Sequence, residues 1–395
     1  MTTRALLVAS FPDSVLDFRG PLIRALQQRG VEVHLAVPDV PAGSTLRTAL
    51  EGEGIVVHGI DLRRTGMNPL ADARCLLQLW WLMRRLRPEL LLGYTIKPVV
   101  YGSIAGWAAR VPRRYALITG LGYAFTGDGA DARARMRGLA QRLYRIALRR
   151  VHAVFFQNPD DQALFSECGL LAPGVRTLVV NGSGIDLDAF PQRALPPGPP
   201  HFLMISRLLG DKGVREYAAA ARQVRAGYPD MRFGLVGWID GNPDAIAPQE
   251  LATWQADGTI EFLGRMPDVR AALADCTVYV LPSYREGTPR TVLEAMATGR
   301  AVITTDAPGC RGTVVDGENG FLVPVRSASA LVQAMLRFIE QPQLAAAMGQ
   351  RSRDMAREIF DVHRVNDILL AEMGLHAPGT DATLMQAMDM ENAHG

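Results

Sequence analysis

Long apolar runs are missing from this chain. None approaches the roughly 20 residues that a membrane-crossing helix needs, so no such helix is expected. The start, MTTRALLVAS, runs straight into a strand pattern without the h-region or cleavage site of a signal peptide, which gives the expectation of a cytoplasmic location. Cysteine is scarce. Cys75, Cys168, Cys276 and Cys310 lie far apart with no CxxC pair, so they read as reduced core thiols rather than a disulfide framework or a metal site. No GxGxxG follows the first strand, which argues against a dinucleotide dehydrogenase. No DxD stands at a strand end and the seven histidines do not gather at ligand spacing, so no metal is expected. Internal repeats are absent beyond a duplicated strand–helix plan.

What is present is enough chain for two domains: 395 residues, 48% of them hydrophobic and 21% charged. The net charge of +2 is unevenly spread. Residues 1–195 hold 24 basic against 16 acidic side chains, and the remainder holds 18 against 24. A basic N-terminal half suits an anionic partner on that side. Strand patterns recur at 5–10, 31–37, 55–61, 90–95, 113–119, 153–158 and 176–180, and helices are expected over 20–29, 69–87 and 133–150. The proline-rich 191–200 (PQRALPPGPP) reads as a linker between an N-terminal unit, 1–190, and a C-terminal one, 201–356. A helix over 357–373 then returns to brace the first unit, and 377–395 reads as a polar tail.

The most informative stretch is 282–299, PSYREGTPRTVLEAMATG. A β-branched and aromatic strand, TVYVL, precedes it, and Gly299 ends the helix that closes it. Gly287, Thr288 and Pro289 form the turn, with Pro289 suited to the first helical turn. Arg290 and Thr291 open the helix, whose free N–H groups attract phosphate. Glu286 sits in the turn and Glu294 one helical turn inside. A second anion-type site lies upstream. After the strand 201–206, Arg207 and Lys212 flank a glycine-bearing turn and make a plausible diphosphate clamp. Gly237 ends the next strand before the turn 239–243, and Gly264, Arg265 and Met266 follow another. In the first half, ligands of an open parallel sheet sit beyond the strand C-termini. TIKPVVYGS, with Lys97, and LITGLGYAF, with Thr119 and Gly120, are therefore candidate cleft loops, and Gly20 is the nearest glycine after the first strand.

Two features bear on surfaces. From Arg133 to Arg150 there are seven arginines and no acid, with Met136, Leu139, Leu143 and Ala147 at helical spacing. This is either a helix that docks on anionic lipid or an ordinary solvated Arg face. Adjacent Trp80 and Trp81 cannot both join one core stripe, so either one is exposed beside Arg84, Arg85 and Arg87 or the helix is buried on two sides.

The spacing of Glu286 and Glu294, together with AVITTDAPGCRGTVVDGENGFLVP after it, resembles the E-x7-E region of the family 4 retaining glycosyltransferases. The likeness runs to about residue 370. It implies the GT-B fold: α/β, two Rossmann-like domains facing across a cleft. It assigns the departing diphosphate to Arg207, Lys212 and N–H groups near 288–291, the donor ring to Glu286 and Gly287, and the ribose to Glu294, with retention by attack on the face the leaving group vacates. It implies a UDP-sugar donor and no metal. TIKPVVYGS and LITGLGYAF are similar to the subgroup of N,N′-diacetylbacillosaminyl-diphospho-undecaprenol α-1,3-N-acetylgalactosaminyltransferases and O-antigen relatives. That likeness implies an N-acetylated hexosamine donor, a polyprenyl-diphosphate-linked sugar acceptor and work at the inner face of the cytoplasmic membrane. No nucleic-acid partner is expected. The chain departs from the family in lacking a histidine in the ITGLGYAF loop and a GG-type loop after the first strand. A UDP-N-acetylglucosamine 2-epimerase shares the fold but needs cleft carboxylates and histidine that these loops lack. A non-catalytic nucleotide-sugar scaffold would show an altered clamp.

Overall fold

The computed structural model describes residues 2–63, 68–120 and 131–376, with backbone only for 131–136. Among the described residues, thirteen strands form two sheets in which every pairing is parallel. The first contains β1 (Arg4–Val8), β2 (Glu32–Val37), β3 (Val56–Gly59), β4 (Leu90–Tyr94), β5 (Arg113–Ile118), β6 (Ala153–Phe156) and β7 (Arg176–Val179), in the order 3-2-1-4-5-6-7. The second contains β8 (His201–Ile205), β9 (Arg232–Val236), β10 (Glu261–Gly264), β11 (Val278–Leu281), β12 (Ala301–Thr305) and β13 (Gly320–Val323), in the order 10-9-8-11-12-13. The strands are nearly continuous apolar runs because helices cover both faces of each sheet. In β1, Leu6 and Val8 face one core with Val99 and Phe156, while Ala5 and Leu7 face another with Leu22 and Leu369. These are two Rossmann-like α/β units facing across a cleft, as the resemblance implies. The strand order reverses beside β1 and beside β8, where such sheets bind ligands.

Several expected elements differ. The first helix is Val15–Gln28, not 20–29, and Pro21 lies inside it. Gly20 is therefore a buried helical residue rather than part of a cleft loop. Pro21 has no N–H for the carbonyl four residues back, that of Asp17. The Arg290 guanidinium of the other half donates to that carbonyl instead. TIKPVVYGS is not a loop either. The helix Ile96–Ala108 starts one residue after β4, and Lys97 is paired with Asp72 at 2.9 Å, both mostly buried. The helix expected over 357–373 is broken: Gln343–Ile359 ends at Phe360, and Val362–Glu372 begins after Asp361, whose carboxylate accepts from the N–H groups of His363 and Arg364. The second of these packs Val365, Leu369 and Leu370 into the first half. Residues 121–125 of LITGLGYAF, the side chains of Arg133, Arg135 and Met136, and the stretch 377–395 lie outside the described residues.

The proline-rich stretch after β7 runs along the second half. Arg353 donates to the carbonyls of Leu187, Phe190 and Ala297, and the buried Arg300 donates to those of Ala194, Leu273 and Ala274. Beside it Ile185 forms a parallel bridge with Asp361: its N–H donates to Phe360 O at 2.7 Å and its carbonyl accepts from Val362 N–H at 3.1 Å.

Candidate active site

The turn after β11 and the turn after β8 are built against each other. Gly213 has φ of +74°, and a Cβ there would stand 2.2 Å from the Pro282 carbonyl, so only glycine permits the approach. The Asp211 carbonyl accepts from Tyr284 N–H at 2.9 Å and from the Ser283 hydroxyl at 3.3 Å. This packing brings Lys212 Nζ to 2.6 Å from Glu286 Oε1, with both side chains mostly buried. Arg207 reaches Asp240 at 3.1 Å from the turn after β9. Both clamp cations thus have acidic partners supplied by elements distant in sequence, rather than the nearby Asp211 or Glu216.

The first half touches this turn directly. Gly287 is buried, and a Cβ on it would stand 2.5 Å from Gln157 Oε1 and 2.7 Å from Thr119 O. The backbone of Thr119 and Gly120 thus lies against Glu286 and Gly287. Asn158, which caps the helix Pro159–Glu167 through its side-chain oxygen, donates from Nδ2 to Gly287 O at 2.7 Å. Thr288 donates from its hydroxyl to Gln157 O at 2.8 Å. Fully buried Asp161 pairs with Arg285, and Asp160 pairs with Arg311. Burial pushes the Asp161 carboxyl up, and Arg285 partly offsets this.

A cleft of about 460 Å³ opens beside the helix Arg290–Thr298. Of the residues singled out in sequence, Arg207, Gly237, Met266, Arg290, Thr291 and Glu294 line it. Asp17 and Phe18 of the first half complete its wall, with Trp238 opposite. Arg290 Nε donates to Glu294 Oε1 at 2.8 Å, and its guanidinium stands 5.2 Å from the Phe18 ring centroid. Burial pushes the Glu294 carboxyl above the usual carboxylate range, and the Arg290 charge draws it partly back. Tyr279 donates to the Thr291 hydroxyl at 2.6 Å, which fixes Thr291 on the cleft side of the helix. Gly264 has φ of +71° and accepts from Gly237 N–H, and Arg265 stacks on Trp238 at 4.9 Å. Pro289 is buried as the residue before the helix rather than inside it.

The cleft therefore gathers six of the thirteen donor-side residues. Lys212, Glu286, Gly287 and Thr288 form the adjoining turn contact, and Lys97 is held by Asp72. Sequence reading missed Asp17, Phe18, Trp238 and Asp240. The string FPDSVLDFRG held the first two, but it reads as a loop when the first helix is expected only over 20–29. Chemically, Arg207 and Lys212 are cations that an anion can draw from Asp240 and Glu286, and Glu294 is a buried carboxylate able to accept from a hydroxyl.

Comparison with known proteins agrees with this geometry. The chain matches the family "Glycosyl transferase 4-like domain" over residues 20–182 and "Glycosyl transferases group 1" over residues 199–341. It is 28% identical over 344 residues to the N,N'-diacetylbacillosaminyl-diphospho-undecaprenol alpha-1,3-N-acetylgalactosaminyltransferase of Campylobacter jejuni subsp. jejuni serotype O:2, covering 84% of this chain and 88% of that one. It is 38% identical over 161 residues to the lipopolysaccharide core biosynthesis mannosyltransferase LpcC of Rhizobium leguminosarum bv. viciae, covering 40% of this chain and 46% of that protein. Its fold is similar to that of Anabaena Alr3699/HepE in complex with UDP-glucose, with a TM-score of 0.74 at 21% identity over 94% of this chain and 99% of that one. Since the two family matches fall on the two sheets in turn, and one relative aligns along most of both chains, the protein belongs to the family 4 glycosyltransferases of GT-B fold.

Proposed function

We propose that the enzyme moves an N-acetylated hexosamine, of GalNAc or GlcNAc type, from a UDP-sugar to an undecaprenyl-diphosphate-linked sugar with retention of configuration, in the assembly of a bacterial surface polysaccharide or glycan. The observation that carries the reading is the cleft itself. It is lined by Arg207 and Glu294 of the second half and by Asp17 and Phe18 of the first, which supports a donor held by one half and an acceptor brought by the other. Arg207 and Lys212 meet the charge of the departing diphosphate, exchanging Asp240 and Glu286 for phosphate oxygens. Glu286 and Gly287 hold the donor ring and Glu294 takes a ribose hydroxyl. The scheme uses no metal, since the two cations and the helix N-terminus supply the positive charge. The sugars are those of the Campylobacter jejuni relative's class, by that protein's name.

A lipid-linked acceptor requires the enzyme to work at a membrane surface. The helix Asp131–Leu148 supports this. Tyr144, Ala147 and Leu148 face the core, while Leu139, Arg142, Ile146 and Arg149 face outward. Trp81 and Trp107, 59% and 48% exposed, lie on the helices Pro69–Leu86 and Ile96–Ala108 of the same half. No helix among the described residues is long and apolar enough to cross a membrane.

The test is a panel of UDP-sugars with and without a polyprenyl-diphosphate-linked acceptor. Transfer that needs the acceptor supports the reading. Turnover without acceptor points to an epimerase, and no turnover in either arm to a scaffold. In the same material Glu294→Gln should weaken UDP binding in calorimetry, and unchanged binding would remove its ribose role.

A further inference from the structure

The first half carries a charge near the cleft that no described residue balances. Arg19 follows Asp17 and Phe18 of the cleft wall and is 3% exposed. Its guanidinium stands over the Tyr94 ring, 5.1 Å from the centroid. Its Nε has no hydrogen-bond partner, nor has the Tyr94 hydroxyl. Among the described residues no carboxylate pairs with it. Burial lowers its pKa to about 10, which leaves it charged at neutral pH, and a second cation, Arg290, lowers it further. Taking a guanidinium out of water without an opposite charge is strongly unfavourable. Arg19 does not itself line the cleft, but its sequence neighbours Asp17 and Phe18 do. Tyr94 ends β4, at the sheet edge where open parallel sheets bind, and Arg290 lines the cleft from the other half.

We propose that Arg19 is a binding residue for a diphosphate, which supplies the missing opposite charge at the first half's side of the cleft. The proposal rests on the glycosyltransferase reading and deepens it. Two substrates of that reading carry this chemistry, the UDP-sugar and the polyprenyl-diphosphate-linked acceptor. A planar fork of N–H donors suits a diphosphate better than an ammonium does. The sequence likeness and the family matches do not single out Arg19; its isolation in the fold does.

Arg19→Met removes the charge and keeps the bulk. Its affinity for UDP and for inorganic pyrophosphate, read by calorimetry, the KM for a polyprenyl-diphosphate-linked sugar, and the urea midpoint are compared with those of the parent. The expected result is a midpoint no lower than the parent's, because an unpaired buried charge has gone, with a roughly 10- to 100-fold loss in one ligand constant. Loss of UDP and pyrophosphate affinity with an unchanged acceptor KM assigns Arg19 to the donor. A raised acceptor KM with unchanged UDP affinity assigns it to the acceptor. Unchanged ligand constants, with or without a lower midpoint, overturn the proposal and leave Arg19 as a packing residue over Tyr94. Should the Met variant not fold, Arg19→Lys is the substitute, expected to lose about tenfold in the same constant, and a Lys variant equal to the parent in every constant is equally fatal. UDP and pyrophosphate binding need no turnover, so a parent that transfers no sugar fails the functional reading while still testing this one.

Discussion

Lys212 and Glu286 meet at 2.6 Å with little water around either, and this alters what removing one of them does. A solvated lysine at a phosphate site would cost only rate when truncated. Here Lys212→Ala also strands a mostly buried carboxylate, which costs about 3 kcal/mol, the low end for breaking a buried pair because both side chains keep some exposure. The expected outcome is a fall in single-turnover rate of ~10²–10³ together with a lower urea midpoint. Adding Glu286→Gln should restore much of the midpoint and none of the rate. Normal turnover in Lys212→Ala would remove the clamp role. The pair also marks what sequence could and could not supply. Residue types and strand-end positions picked out both members, because charge at the end of a buried strand has few bland uses. Their partnership was not legible, since it depends on Gly213 letting two turns close on each other across more than seventy residues of chain.

At the scale of elements, the strands read from sequence ended within a residue or two of the observed ones because most are nearly continuous apolar runs, while β12 and β13 were not read as strands. Helices were misread at three places. Pro21 lies inside Val15–Gln28, where the helix was expected only from Gly20, Pro98 lies in the first turn of Ile96–Ala108, where a loop was expected, and the helix expected over 357–373 is broken at Phe360–Asp361. The basic helix shows a different kind of miss. The stripe expected to be its apolar face is split, with Leu139 turned outward and Ala147 buried, and Tyr144 joins the buried side. Arg145 is not a free charge, since it donates to the carbonyls of Cys168 and Gly169. Among the described side chains, Arg150 is exposed but lies over the Trp107 ring, and the other outward arginines are Arg137, Arg142 and Arg149. Replacing these three with Gln should remove about 3 kcal/mol of attraction to an anionic bilayer, at ~1 kcal/mol each, and leave UDP binding unchanged. Liposome flotation on anionic and neutral vesicles reads the effect. Equal flotation of parent and triple variant would leave the helix as a solvated face.

For the whole molecule, pH sensitivity follows from where the histidines lie. Burial lowers the pKa of His34, His58 and His201 below the ordinary 6.5, more than nearby carboxylates raise it for His34 and His201. The unfolded chain then takes up protons at about pH 6.5 while the folded chain still resists them. Stability is full above that pH and falls as pH drops toward the folded values. Urea midpoints at pH 7.5 and pH 5.5 should show the loss, and equal midpoints would contradict it. The two-unit plan was legible from the repeated strand–helix grammar, but the way the units are joined was not, because 191–200 looks like a free linker and is in fact held by Arg300 and Arg353. Among the described residues the backbone passes between the halves beside Ile185 and again at Phe360–Asp361, and the bridge holds the two passages together. Two attachments at one place leave a pair of rigid bodies little more than a single rotation. Every distance across the cleft then becomes a function of one angle, so the contacts of Asn158, Asp161 and Arg290 across the halves open and close in step rather than one by one.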